Sequence, residues 1–334
     1  MKTIAILILD QTLPSGVAGI TDIFKLAGAH RDLKKGFRLK TLFDVKIVST
    51  DGKPVRLLNS FIVEPHGPVE SVSNPDLIIV PSSGYVPSKL GNYPENIKAW
   101  LRFHHSKKRD IASGCTGAFV LAEAGILDHR LATTHWGYAA YFRKKYPLVR
   151  LRSDMMITED KNLFCSGGGS AGIDLVLHLI ERYNGMETAN YCAKLLLLER
   201  NRTTQMPFSV FHEKKNHQDA QMAKAQETIE RRYGENLSID ALSDDVGMSL
   251  RNFKRRFKNA TGDPPLVYIQ KFRVEMARKL LETGNLSIEE ISGKVSYDDV
   301  GFFRRLFHRH TGISPTEYRR KFNSRFFREG GEEN

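Results

Sequence analysis

A chain of 334 residues is too long for one typical domain and suits two, at roughly 100–200 residues each. With 41% hydrophobic and 26% charged residues it has the composition of a soluble globular protein, and no stretch approaches the ~20 apolar residues of a membrane span. A formal charge of +12 favours a polyanionic partner; three cysteines, Cys115, Cys165 and Cys192, have no metal-ligand spacing and point to a reducing cytoplasm. The basic excess does not mark one half: residues 1–200 carry 26 Lys and Arg against 19 acidic residues, and residues 201–334 carry 24 against 19.

The opening run MKTIAILILDQ reads as a buried first strand, because Asp10 and Gln11 stand where a signal peptide would need small residues. Strands are expected at Thr3–Leu9, Leu42–Ser49, Leu77–Val80 and Asp110–Ala112, with weaker ones at Leu131–Thr133 and Leu163–Cys165. Between them the apolar spacing predicts helices over Val17–Leu33, Glu95–His105, Thr116–Gly125, Trp136–Tyr146 and Gly172–Tyr183, and then one over Met186–Arg200. That alternation favours βαβ units, and so a mostly parallel, flavodoxin-like α/β sheet over residues 1–200. His104-His105 reads as a solvated helix end.

Within this half, DIASGCTGAFVLA (residues 110–122) reads as strand, sharp Gly-x-x-Gly turn and helix. Cys115 sits on the turn, where helix N-terminal amides would lower its pKa, and His135 follows a neighbouring strand. Pro81-Ser-Ser-Gly84 lies at the carboxyl end of an apolar strand, where open α/β sheets bind ligands. The run Ser166-Gly-Gly-Gly-Ser170 precedes a helix and either offers N–H groups to an effector carboxylate or is a tight turn. An effector pocket is therefore expected at Ser83, Gly84, Cys115, Thr116, His135, Gly168 and Gly169, with no metal site and no cofactor.

Residues 201–218 lose periodicity and read as a linker; from residue 219 to 325 the chain reads as helical, with a polar tail at 326–334. This half repeats itself. Ser238, Leu242 and Val246 match Ser287, Ile291 and Val295 at an offset of 49. Phe253, Phe257, Gly262, Pro265, Tyr268 and Phe272 match Phe303, Phe307, Gly312, Pro315, Tyr318 and Phe322 at an offset of 50. Each copy is a helix-turn-helix: a serine N-cap, a short helix, a turn, a second helix anchored by two phenylalanines four apart, and a glycine stop. Only the second copy has the capping-box Glu290, and Ser249 is expected to cap the second helix of the first copy.

Arg251, Asn252, Lys254 and Arg255 in the first copy, and Val300, Gly301, Arg304 and Arg305 in the second, then project outward. Arg and Asn are the side chains that read guanine and adenine in a major groove, so double-stranded DNA is the expected partner. The helix between the copies, Leu266–Glu282, would hold two reading heads at a set separation.

The run VSYDDVGFFRRLFHRHTGISPTEYR (Val295–Arg319) closely resembles the signature of the AraC family of transcription factors, with Ser296 where that family usually has glycine. The stretches SGCTGAFVLAEAGILDHRLATTHW (Ser113–Trp136) and SGGGSAGIDLVLHLIE (Ser166–Glu181) resemble the PfpI/ThiJ, class I glutamine-amidotransferase-like fold found as the sensor domain of GlxA-like regulators. Together these resemblances imply a cytoplasmic, homodimeric transcriptional regulator, not an enzyme, whose N-terminal domain senses a small molecule such as an amino acid or related amine. In catalytic and oxidisable members of that superfamily an acidic residue supports the cysteine; alignment places Gly16 there, and Asp10 and Asp22 nearby do not match. Cys115 with His135 is thus a vestigial elbow lining a pocket or, in the alternative reading, the centre of a Cys-dependent hydrolase or redox sensor.

Overall fold

The computed structural model describes residues 1–28, 41–84, 90–200, 202–211 and 213–323. It divides into two compact units, Met1–Gln205 and Met206–Asn334.

The first unit runs β1 (Lys2–Leu7), α1 (Pro14–Leu26), β2 (Phe43–Ser49), β3 (Val55–Arg56), β4 (Ile62–Val63), β5 (Gly67–Pro68), β6 (Leu77–Val80) and α2 (Glu95–Ser106). It continues through β7 (Asp110–Gly114), α3 (Gly117–Glu123), β8 (Leu131–Ala132), α4 (Ala139–Lys145), β9 (Arg150–Leu151), β10 (Ile157–Asp160), β11 (Leu163–Ser166), α5 (Ala171–Asn184) and α6 (Met186–Leu195). The main sheet has the order β10-β11-β7-β6-β1-β2-β5 and is parallel except for the edge strand β10, which pairs antiparallel with β11. Successive side chains of a strand point to opposite faces, so the continuous apolar runs of β1 and β6 fill two cores. Ala5, Leu7, Ile78 and Val80 pack with α2 and α3, whereas Ile4, Ile6, Leu77 and Ile79 pack with α1, α5 and α6.

The six expected strands are all present, within two residues at either end. Helix α1 starts three residues earlier than the spacing suggested, on Pro14 at its first turn, and ends at Leu26; residues 29–33 of the expected helix, like the polar tail 326–334, lie outside the described residues. The stretch Trp136–Tyr146 is a short 3₁₀ turn followed by α4 rather than one helix. His104 is not solvated: it is 3% exposed, with Trp100 and Phe103 edge-on to its ring, because it falls on the buried face of α2. Among the described residues no helix is long and apolar enough to cross a membrane, and no group of three or more His, Cys, Asp or Glu is placed to hold a metal ion.

The second unit is helical: α7 (Ala220–Arg232), α8 (Ile239–Asp244), α9 (Leu250–Thr261), α10 (Pro265–Thr283), α11 (Ile288–Lys294), α12 (Val300–Thr311) and α13 (Pro315–Phe322). Each copy of the repeat has its own core, and α10 serves both. Tyr268 and Ile269 join Leu242, Val246, Phe253 and Phe257, while Val274, Ala277 and Leu281 join Ile291, Val295, Phe303 and Phe307. The repeat extends to fine detail: Gly262 and Gly312 close α9 and α12 in the left-handed conformation, and the buried hydroxyls of Thr261 and Thr311 donate back to Phe257 O and Phe307 O.

Ser238 and Ser287 cap α8 and α11 as the spacing predicts, and the reciprocal capping box forms at Ser287 and Glu290. Ser249 occupies the N-cap of α9 in extended backbone, but its side chain makes no cap bond; the equivalent helix α12 is capped by Asp299, which accepts from Phe302 N. At the second turn Ser296 takes φ +62°, the conformation Gly247 takes in the first at +66°. A side chain there costs roughly 1–2 kcal/mol, partly offset by the greater unfolded-state freedom of glycine. Ser296→Gly should therefore raise stability by about 0.5–1 kcal/mol, read as a higher urea midpoint at unchanged slope. A lower midpoint would show that the turn carries no strain.

The polar stretch 201–218 was expected to be a linker on lost periodicity, and its described residues are held by long-range bonds that periodicity does not register. Met156 N donates to Thr203 O, and Gln205 N to Asp154 O, within the first unit. In the second, Arg278 donates to the carbonyls of Met206 and Ser209.

Candidate DNA-binding faces and effector pocket

Helix α9 buries Phe253, Phe257 and Ala260 and leaves Arg251, Lys254 and Arg255 exposed, with Asn252 half-buried beside them. Asn252 Oδ1 accepts from Arg255 at 2.9 Å, so the two side chains present a joined amide and guanidinium. Arg256, the next basic residue, leaves this face. Its guanidinium donates twice to the Asp219 carboxylate, at 2.7 and 3.0 Å, and to Gln221 Oε1 at 2.9 Å. Asp219 is the N-cap of α7, and the bonded guanidinium holds its carboxyl below the usual range.

On α12 Gly301, Phe302, Arg304 and Arg305 are exposed, as are His308 and Arg309 in its last turn, while Val300 is half-buried and packs on the second core. Arg304 donates to Glu289 Oε1 at 3.0 Å, and Arg305 lies 3.9 Å from the Asp299 carboxylate. Phe302, which the sequence reading passed over, is 38% exposed with its ring against Tyr297. The offset of 50 pairs it with Asn252, and that correspondence was the available signal.

In the first unit the elbow is formed as expected. Cys115 takes φ +54° between β7 and α3, and its N–H donates to Ser166 O and Gly167 O at 3.1 Å each. The following turn tolerates only glycine at 117, since a Cβ there would lie 2.2 Å from Val80 O. Thr116 Oγ1 ties the elbow to the end of β6, sharing a bond with Ser82 Oγ at 2.9 Å and accepting from Ser83 N at 3.0 Å.

The residues expected to share one pocket are divided between two cavities. Cys115 and Gly169 line one of about 340 Å³, with Leu13, Gly16, Ile20 and Ile173; among its described lining residues none is charged. Ser83 and Gly84 line a second, of about 400 Å³, with Asp10, Gln11, Asn92 and Tyr93. Thr116 bridges the two sets through Ser82, Ser83 and Gly84 O. His135 packs on Gly168, where a Cβ would lie 1.7 Å from its Cδ2, and its Nδ1 accepts from Gly137 N at 2.9 Å. Among the described residues no hydrogen bond joins Cys115 to His135. The N-terminus of α5, beyond the glycine loop, is engaged by Arg202, which bonds the Asp174 carboxylate and Ser170.

The electrostatics of Cys115 differ from the sequence expectation. It is 4% exposed, and burial pushes its thiol above the ordinary range, outweighing the contacts from Ser82, Thr116 and Gly169 that pull it down. Burial also lowers the His135 pKa, disfavouring the charged ring. With Gly16 on the cavity wall, no carboxylate stands among the described residues that line the cavity with the sulfur. Cys115 should accordingly resist iodoacetamide near neutral pH and label faster only as pH rises, since the thiolate is the nucleophile. Mass spectrometry of the labelled peptide checks this, and rapid labelling at pH 7 would contradict it.

Residues 2–182 match the DJ-1/PfpI family, and residues 242–321 match a helix-turn-helix domain. The chain is 27% identical over 305 residues to the HTH-type transcriptional regulator GbdR of Pseudomonas aeruginosa, covering 89% of this chain and 81% of that protein. It is 33% identical over 153 residues to the isonitrile hydratase of Pseudomonas putida, covering 45% of this chain and 65% of the enzyme. In fold, an AraC family transcriptional regulator from Pseudomonas putida aligns with a TM-score of 0.50 at 17% identity, over 59% of this chain and all of that one. The chain belongs to the DJ-1/PfpI family and joins that domain to a C-terminal helix-turn-helix domain of the AraC type.

Proposed function

We propose that the protein is a sequence-specific, DNA-binding transcriptional regulator whose N-terminal domain senses a small molecule. The observation that carries this reading is the duplicated helix-turn-helix, with exposed basic residues at equivalent places: Lys254 and Arg255 on α9, Arg304 and Arg305 on α12. Phosphate contacts from such residues supply affinity, and bidentate contacts from Arg and Asn supply sequence discrimination. The cavity over Cys115 is the effector site, walled by Leu13, Ile20 and Ile173 with Gly169 and Ser170 at the start of α5, and its effector is an amino acid or related amine. The protein works as a cytoplasmic homodimer, and Cys115 is a wall of the pocket rather than a nucleophile. The raised thiol and Gly16 in place of an acid both weigh against a hydrolase and against a redox sensor.

Selection of binding sites from random double-stranded DNA by the full-length protein, at near-physiological salt, tests the proposal. Two short conserved blocks about one helical turn, ~34 Å, apart are expected. Recovery of no enriched sequence, with binding that weakens steeply as salt rises, would reduce the basic surface to non-specific attraction.

A further inference from the structure

Gln205, the last residue of the first unit, is 3% exposed, and its amide is fully engaged. Its Oε1 accepts from Trp136 N at 3.1 Å, and its Nε2 donates to Thr134 O at 2.8 Å, Met155 O at 3.1 Å and Thr133 Oγ1 at 3.2 Å. Two short routes lead from this amide to the elbow. Thr134 Oγ1 donates to Cys115 O at 2.8 Å, and Gly167, whose carbonyl accepts from Cys115 N, lies so close that a Cβ there would meet Gln205 Oε1 at 2.7 Å. The next residue in the chain, Met206, opens the second unit, and its carbonyl accepts from Arg278 at 3.2 Å. Arg278 is 5% exposed on α10, the helix that serves both helix-turn-helix cores, and it also bonds Ser209 O. Phe208 then rests edge-on against Phe322, with ring centroids 5.6 Å apart.

We infer that Gln205 is a positioning residue for regulation: its amide couples the Cys115 pocket to the DNA-binding unit. This rests on the proposed effector site and DNA activity. A flexible linker would absorb a displacement on one side before it reached the other. Here Gln205, bonded to the residues that hold the elbow, is followed directly by Met206, bonded to α10, so no free segment lies between the two attachments.

Gly167→Ala tests the inference without an identified effector. Gly167 does not take the left-handed conformation, and the three atoms nearest the new methyl all belong to the far end of the Gln205 side chain, so this variant displaces the amide first. With the operator duplex recovered by selection, full-length Gly167→Ala should show a Kd changed about tenfold, a typical size for coupling between sites. In a Gln205→Ala background the methyl has room, and the same substitution should change Kd by less than about twofold. No change in Gly167→Ala, or a tenfold change that persists undiminished without the amide, overturns the inference. Thermal melting of each variant separates coupling from loss of fold.

A second measurement needs no substitution at Gly167. Coupling is reciprocal, so duplex binding should alter the slow iodoacetamide labelling of Cys115 at mildly alkaline pH in the wild type and leave it unaltered in Gln205→Ala. A wild-type labelling rate indifferent to the duplex overturns the inference equally. Failure of the selection to return any operator would instead remove the proposed function itself.

Discussion

Replacing Arg255 and Arg305 together by Ala should abolish specific operator binding while leaving the fold of both units intact. Each guanidinium is exposed on the second helix of its repeat, at positions related by the offset of 50. A lost bidentate base contact costs about 1–3 kcal/mol, or roughly fivefold to 150-fold in Kd. The two residues stand on helices that pack into separate cores, so their losses should nearly add, giving roughly a 30-fold to 20,000-fold weakening. Titration of a labelled operator against an unrelated duplex of equal length checks this, and unchanged operator affinity in the double variant would sink it. Arg256→Ala is the informative control. Its guanidinium is spent on Asp219 and Gln221, so its removal should lower stability and leave operator discrimination in place.

Phe307→Ala should be the most damaging single substitution in the second repeat. Phe307 is fully buried, with ring centroids 5.5 Å from Tyr318 and 5.9 Å from Phe303. Truncating a buried phenylalanine costs about 3–5 kcal/mol, because transfer energy is lost and a cavity remains. Against a total of about 5–15 kcal/mol for a domain, that is enough to unfold the second head in part of the population. Urea unfolding followed by circular dichroism should show the loss directly. The operator block read by the second repeat should lose its discrimination while the block read by the first keeps it. A loss below about 1 kcal/mol would mean that α12 and α13 collapse onto the gap.

Much of this protein was legible before any coordinates because its signals are short-range. The serine caps of α8 and α11, the left-handed Gly262 and Gly312, and the apolar runs of β1 and β6 each depend on residues a few positions apart, and the repeat at offsets of 49 and 50 shows on direct comparison of the chain with itself. Such patterns follow from the helical and strand periods and survive in any single sequence. The elbow at Cys115 was legible for the same reason: strand, tight turn and helix are consecutive.

What escaped the sequence is set by residues far apart in the chain. Strand β10 is short and joins the sheet only through the register of β11. The strands β3, β4, β5 and β9 are two residues long, too brief to show alternation. Arg256 sat in a basic run that gave no sign of its partner Asp219, 37 residues earlier. The expected pocket divided into two cavities because Thr116 bonds to the end of β6. Its cysteine proved to be a raised thiol because desolvation, which depends on everything packed around the sulfur, outweighs the local contacts. Gln205 is the extreme case. A glutamine in a polar, aperiodic stretch reads as solvated, yet its amide is bonded to residues about 50 to 70 positions away. Sequence determined the two domains, their order and the paired reading heads, since local periodicity and repetition encode them. Tertiary structure alone decided which charges face solvent, that burial pushes the Cys115 thiol up and that the Gln205 amide is bonded to Thr134, Met155 and Trp136, because burial and long-range hydrogen bonds have no local signature.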